Sequence, residues 1–278
     1  MKCEENMGKF LLILAGFSLS IGLATTDTID FNKWVVKIQN VEQSNSEVGN
    51  VDVSQRVRDL MRKLNFDGDF TVNEYIAMNP RIARRFERNP IVSHPVDTKF
   101  LSDGSVFAEY EVNLTGNLLK TLMPSTGGGI PLAPLCCPTC KRPWPETLEV
   151  PDGVTLIPEE TEPTTNYTGI IIDAQGLKLT PALFPKILNE DGKEAYGLSF
   201  VTENYAPELG LVSYVRTLSE AFSNDRAGLN PLRIDALRTS GRLNCDILIA
   251  NTDAVRMHQS QRNLKLLEHC QVVVITGE

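Results

Sequence analysis

The chain has 278 residues, 42% of them hydrophobic and 22% charged, with a net charge of −8. That is enough apolar content to close a core and enough length for roughly two domains. The negative balance excludes broad binding to nucleic acid or to an anionic membrane surface, both of which need a positive field, and leaves room only for a local basic patch.

Lys2 and Lys9 flank the start of an apolar stretch, Phe10–Leu23, and Gly22 and Ala24 put small residues where a signal peptidase reads. The stretch is shorter than the ~20 residues a spanning helix needs. Thr25 and Thr26 stand where a lipoprotein signal would carry its cysteine. Residues 1–24 therefore read as a cleaved secretory signal with no lipobox, and the expected location is periplasmic or secreted. Loss of Cys3 with the signal leaves five cysteines, Cys136, Cys137, Cys140, Cys245 and Cys270. Thiols outside the cytoplasm tend to pair, and an odd number leaves at least one free, metal-bound or intermolecular.

Residues 27–123 predict an α+β domain with helices on one side of an antiparallel sheet. Trp34–Ile38 is a strand, and Ser44–Asn50 a polar loop. Asp52 and Gln55 have capping-box spacing ahead of a helix whose apolar stripe is Val53, Val57, Leu60, Met61 and Leu64. Asn79-Pro80 starts a short helix with Ile82, Ala83 and Phe86 on one face and Arg81, Arg84, Arg85 and Arg88 on the other. Val92–Phe100 and Val106–Val112 alternate apolar and polar residues around Ser102–Ser105, which predicts a hairpin. Leu118–Met123 closes the domain. Residues 124–166, rich in proline and glycine and carrying three cysteines, read as a linker.

Residues 167–278 predict an α/β domain with a mixed sheet. Ile170–Ile172 is short and β-branched throughout, as a strand buried on both faces would be. Asp191-Gly192 sits between two apolar arms within Pro185–Gly197 and marks a hairpin. Val212–Val215 and Leu229–Ala236 look extended. At the end, strand Asp246–Ala250, a helical face of Ala254, Met257, Leu264 and Leu267, and strand Gln271–Ile275 read as a βαβ crossover that sets the two strands parallel.

Several stretches bear on chemistry. Asn65, Asp67, Gly68, Phe70, Thr71 and Glu74 fall at positions of an EF-hand loop, but Lys63 holds the first ligand position, where an ammonium repels a cation. The stretch is read first as a helix-turn-helix joint. Cys137-Pro-Thr-Cys140, with Cys136 beside it, is half of a zinc-ribbon site, and it leaves three readings open: disulfides within the cluster or to another chain, a metal, or thiol redox chemistry. Cys245 and Cys270 precede the two strands of the predicted crossover; they are a disulfide candidate if those strands are neighbours and buried free thiols otherwise. The arginine face is a candidate partner-binding surface, weighed against the more common solvated charge run. No G-x-S-x-G, S-x-x-K, H-E-x-x-H or phosphate loop occurs, so no catalytic, cofactor or metal residues are assigned. Asp173, Asp246 and Asp253 lie at strand ends, where active-site carboxylates also occur.

The helix Val53–Leu64 and the hairpin Leu101–Gly116 resemble the small α+β domain of the twenty-kilodalton Lpp-type bacterial lipoproteins and of the flagellar H-ring protein FlgT. Thr168–Gly197 and Cys245–Gly277 resemble an extension found in envelope proteins of that group. The resemblance implies a non-enzymatic protein of the bacterial envelope, structural or assembly-related and in some members flagellum-associated. Its partners would be envelope proteins or peptidoglycan and outer-membrane components, with no nucleic acid and no small-molecule substrate; oligomerisation stays open. The alternative is a metal-binding or thiol-redox protein using Cys136, Cys137 and Cys140.

Overall fold

The computed structural model describes residues 27–42, 53–102, 104–145, 147–159 and 165–277. The signal-like segment, the 44–50 loop and the Asp52 cap lie outside the described residues.

Strands β1 (Thr28–Asp30), β2 (Val35–Glu42), β3 (His94–Phe100) and β4 (Val106–Asn113) form an antiparallel sheet in the order β1-β2-β4-β3. Alternation works as expected on the inner strand β4, with β2 beside it. Val36, Ile38, Ala108 and Val112 are buried, whereas Lys37 points away and pairs with Glu111 at 2.9 Å. On β3 it fails: Val96 and Phe100 are exposed, at 56% and 83%, because β3 is an edge strand and shifts register between Pro95 and Asp97. Helices α1 (Val53–Lys63), α2 (Val72–Met78), α3 (Pro80–Arg88) and α4 (Asn117–Leu122) bury Val57, Met61, Val72, Ile76, Phe86, Leu119 and Leu122 in the same core as Val36 and Ile38.

The predicted linker carries a two-stranded ribbon, β5 (Leu135–Cys136) with β6 (Ile157–Pro158). Its early part is bound to the second half of the chain: Gly127 N–H donates to Leu198 O, Gly129 N–H to Ser199 O, and Ala133 is buried.

The second half is mixed α/β, with two four-stranded sheets. The strands are β7 (Gly169–Asp173), β8 (Ile187–Leu188), β9 (Glu194–Tyr196), β10 (Ser213–Val215), β11 (Pro231–Asp235), β12 (Arg238–Ser240), β13 (Asp246–Leu248) and β14 (Val272–Ile275). One sheet is parallel, in the order β10-β14-β7-β11; the other is mixed, in the order β12-β13-β8-β9. Helices α5 (Ala206–Leu209), α6 (Leu218–Ser223), α7 (Asn251–His258) and α8 (Gln261–Glu268) join them. The Asp191-Gly192 hairpin is present between β8 and β9, with Gly192 at φ 75°.

Two details depart from expectation. The strand–helix–strand unit at the end does not put its strands side by side. β13 pairs with β8 and β12, and β14 pairs with β7 and β10, so this unit carries the chain from one sheet to the other. The parallel strands joined through a single helix are β10 and β11, by way of α6. Likewise the face formed by Ala254, Met257, Leu264 and Leu267 belongs to two helices. Ser260 stops α7 and caps α8, accepting from Asn263 N–H at 3.1 Å.

The expectation of two separately cored units meets one continuous cluster. Trp34, Phe66 and Met61 from the first half are buried together with Ile170, Phe184, Val212 and Val272 from the second. Backbone bonds cross the seam as in a strand pair, Leu183 N–H to Asn65 O at 2.9 Å and Phe184 N–H to Phe66 O at 2.8 Å.

Candidate functional site

The arginine face is built by the way α3 sits on the core. Pro80 starts the helix, Phe86 is fully buried, Ile82 and Ala83 are half-buried, and the opposite face presents Arg81, Arg84, Arg85 and Arg88, all exposed. Nearby charges are committed elsewhere: Glu87 pairs with Arg62 at 2.5 Å, and Arg62 also holds Asp59 at 2.6 Å. Among the described residues no salt bridge involves any of the four arginines. Arg84, Arg85 and Arg88 edge an open depression of about 330 Å³ whose floor is Asn89 and Thr121. That floor is fixed, since Asn89 Nδ2 donates to Asn117 O at 3.0 Å and to Thr121 Oγ1 at 3.1 Å. Guanidinium forks at such spacing can take two or more carboxylate or phosphate groups in bidentate fashion.

The calcium-loop match is filled from within. Asp67 Oδ1 accepts from the N–H groups of Asp69 and Phe70, both at 2.9 Å. Glu74 closes a capping box with Thr71, the residue that caps α2, by accepting from Thr71 N–H. Arg242, from the second half, then donates to Asp69 O at 2.8 Å and to Glu74 Oε2 at 2.6 Å. A guanidinium thus bonds the backbone carbonyl at loop position seven and the carboxylate at position twelve, both of which would be ligands in an EF-hand. The stretch is a helix-turn-helix joint. Among the described residues no group of three or more His, Cys, Asp or Glu side chains is placed to hold a metal.

Asp246 lies at the same seam. Its Oδ1 accepts from Lys186 N–H at 2.9 Å, and its carboxylate packs so closely on Gly68 that a Cβ there would collide with it. Burial, with Asp67 and Asp69 nearby, pushes the Asp246 carboxyl up to about 6. Asp173 sits on the other sheet and is held by Arg233 at 2.7 Å, so the strand-end aspartates serve separate contacts. Beside the seam, Phe66, Tyr75, Met78 and Phe184 line a cavity of about 480 Å³. Sequence patterns gave no signal for this cavity, because its walls come from distant parts of the chain.

All five cysteines of the described residues are free thiols. Cys245 and Cys270, read from sequence either as a disulfide or as two buried free thiols, precede strands of different sheets and are buried as free thiols. Burial pushes their thiols up to about 12 and about 11. In the connector Cys136 is buried, Cys137 half-buried and Cys140 exposed. The turn containing them is a hairpin: Cys137 N–H donates to Arg142 O at 3.0 Å, Lys141 N–H donates to Cys137 O at 2.9 Å, and Lys141 takes φ 59°. The N–H groups of Cys140 and Thr139 bond the Cys137 sulfur and hold its thiol below the usual range. Redox thiols of the thioredoxin kind sit instead where a strand runs into a helix.

His258 has a role that its sequence position did not reveal. Its Nδ1 accepts from Leu132 N–H at 2.7 Å and its Nε2 faces Ala195 O at 2.7 Å, so the ring is neutral with its proton on Nε2. Burial pushes its pKa down to about 4. It pins the connector to the mixed sheet.

Residues 169–278 match the family model described as Treponema pallidum Tp0624, second domain. The match starts on the first residue of β7 and spans less than half of the chain. No curated protein matches the chain.

Proposed function

We propose that the protein is a non-enzymatic component of a bacterial envelope, periplasmic or secreted, that acts by assembly. It docks through Arg81, Arg84, Arg85 and Arg88 on an anionic envelope partner. The observation that carries this reading is the arginine cluster itself: four guanidinium groups without a salt bridge among the described residues, three of them around one depression, on a chain whose net charge is −8. A positive patch kept against the overall charge concentrates attraction at one place and repels anions elsewhere. The exposed edge strand β3, with Val96 and Phe100 turned outward, adds a second surface suited to assembly. The signal-like leader and the resemblance to Lpp-type and FlgT-like envelope proteins point to the same compartment.

Co-sedimentation with peptidoglycan sacculi and with outer-membrane vesicles tests this reading, alongside mass measurement of the exported chain. Binding that weakens with salt and is lost in the triple variant Arg84→Gln, Arg85→Gln, Arg88→Gln is expected, on a chain processed near Ala24. Binding unchanged in that variant, or an unprocessed cytosolic chain, would overturn it.

A further inference from the structure

We infer that two copies of this chain associate edge to edge through β3, paired antiparallel about Thr98, so that one sheet runs on across both copies. The inference rests on the reading of β3 as an assembly surface and names its occupant.

β3 ends one side of its sheet, so half of its backbone groups have no neighbouring strand to pair with. The ladder to β4 decides which half. Leu101 N–H donates to Ser105 O at 2.8 Å, and in an antiparallel pair such bonds recur on every second residue. Lys99 and Asp97 therefore turn their backbone groups toward β4, while Phe100 and Thr98 turn theirs outward. Thr98 lies opposite Ala108 and Phe100 opposite Val106, so both side chains stand on the face where Ala108 is buried. Both are nevertheless exposed, Phe100 at 83%, so the cover over Ala108 stops short of β3.

Val96-Asp97-Thr98-Lys99-Phe100 is complementary to its own reversal. A two-fold axis through Thr98, perpendicular to the sheet, sets Asp97 opposite Lys99 of the second copy and Val96 opposite Phe100 of the second copy. The two Thr98 residues then exchange N–H to O bonds. Asp97 and Lys99 already lie on one face, 2.8 Å apart, with Lys99 over the Phe107 ring at 5.8 Å. In the pair each carboxylate has an ammonium on either side. Neighbouring registers are penalised, because an axis at Asp97 or at Lys99 puts like charges directly opposite, and parallel in-register pairing does so at both. The register shift between Pro95 and Asp97, and the missing N–H of Pro95, confine the pairing to residues 96–100. An unrelated extended peptide could satisfy the free backbone groups, but only a second copy carries these charges in the matching reverse order.

Light scattering over a concentration series of the purified chain tests this, and a dimer is expected. Asp97→Lys alone and Lys99→Asp alone place like charges opposite and should each weaken the dimer about tenfold or more. Mixing those two variants should restore association as a heterodimer. The double variant Asp97→Lys, Lys99→Asp reverses both signs and should dimerise like the parent. Thr98→Pro removes an outward N–H and should leave a monomer that circular dichroism shows to be folded. A parent that is monomeric throughout, a dimer indifferent to either single reversal, or losses that neither mixing nor the double variant restores would overturn the inference. Mass in solution reads β3 alone, and sedimentation with envelope material reads the arginine face, so either can fail without the other.

Discussion

The indole N–H of Trp34 donates to the carbonyl of Val212 at 3.0 Å, across 178 residues of chain. Trp34 itself sits at φ 54°, and its ring lies on Gly210, where a Cβ would collide with the indole and where φ is 79°. A strained residue in the first half is thus seated on a bare stretch of backbone in the second, and the seam between the halves is part of the core.

This seating predicts a single unfolding event. Trp34→Ala removes a fully buried indole and should cost about 3 to 5 kcal/mol. Trp34→Phe keeps most of the apolar contact but leaves the Val212 carbonyl without its donor, a loss of about 1 to 3 kcal/mol. Urea denaturation followed by circular dichroism reads both. One transition that moves as a whole is the expected result; a first-half transition that shifts while a second-half transition stays put would show that the halves are energetically separate.

Asp246 should be a liability at neutral pH. Its folded pKa, about 6, lies above the ordinary value of 3.8. The unfolded chain therefore ionises first as pH rises. The contribution is fully present below 3.8 and is lost between 3.8 and 6, by at most about 3 kcal/mol. Asp246→Asn keeps an acceptor for Lys186 N–H and removes the charge, so it should raise stability at pH 7 and leave it little changed near pH 3. A variant less stable at pH 7 than the parent would mean that the carboxylate has a compensating partner.

His258 acts with the opposite sign. Its folded pKa of about 4 lies below 6.5, and only the neutral ring can accept from Leu132 N–H. Stability is fully present above pH 6.5 and falls as pH drops toward 4, by up to about 3 kcal/mol, because the unfolded chain protonates first. In the parent this loss and the Asp246 gain offset one another between pH 6 and 4. The Asp246→Asn background should therefore expose a steady decline from pH 6.5 to 4, and His258→Gln in that background should flatten it. Protection of the Leu132 amide from hydrogen exchange should fall over the same range.

The sequence was readable wherever one local pattern had one structural meaning. Ile170–Ile172 and Val272–Ile275 are apolar on every residue, and all are buried because helices and sheets cover both of their faces. The face of Arg81, Arg84, Arg85 and Arg88 followed from helical spacing and from the proline at the start of α3. What stayed hidden depended on distant partners. Which sheet takes β13 and which takes β14 is decided by pairing with β8 and β7, far back in the chain, and that choice also settles the two readings of Cys245 and Cys270 in favour of buried free thiols. Val96 and Phe100 alternate like core residues, but no local signal shows that their strand is an edge. His258 and Arg242 look ordinary in sequence because Leu132, Asp69 and Glu74, which give them their roles, are over a hundred residues away.

Arg242 also decides the response to calcium. Its guanidinium bonds the Asp69 carbonyl and the Glu74 carboxylate, while Glu74 is further held by Thr71 and Asp67 by its own turn. An incoming ion would have to displace a tethered cation and would still meet Lys63 at the first ligand position. Millimolar calcium should therefore leave the melting temperature of the parent unchanged. Arg242 and Glu74 are each about half exposed, so their ion pair itself contributes little, and Arg242→Ala should cost under about 1 kcal/mol. That substitution frees the carbonyl and the carboxylate, and replacing Lys63 with Asp as well supplies the missing ligand. The double variant Lys63→Asp, Arg242→Ala should then gain a calcium-dependent rise in melting temperature that Glu74→Gln abolishes. A calcium response already present in the parent would show that the guanidinium does not occupy the cation's place.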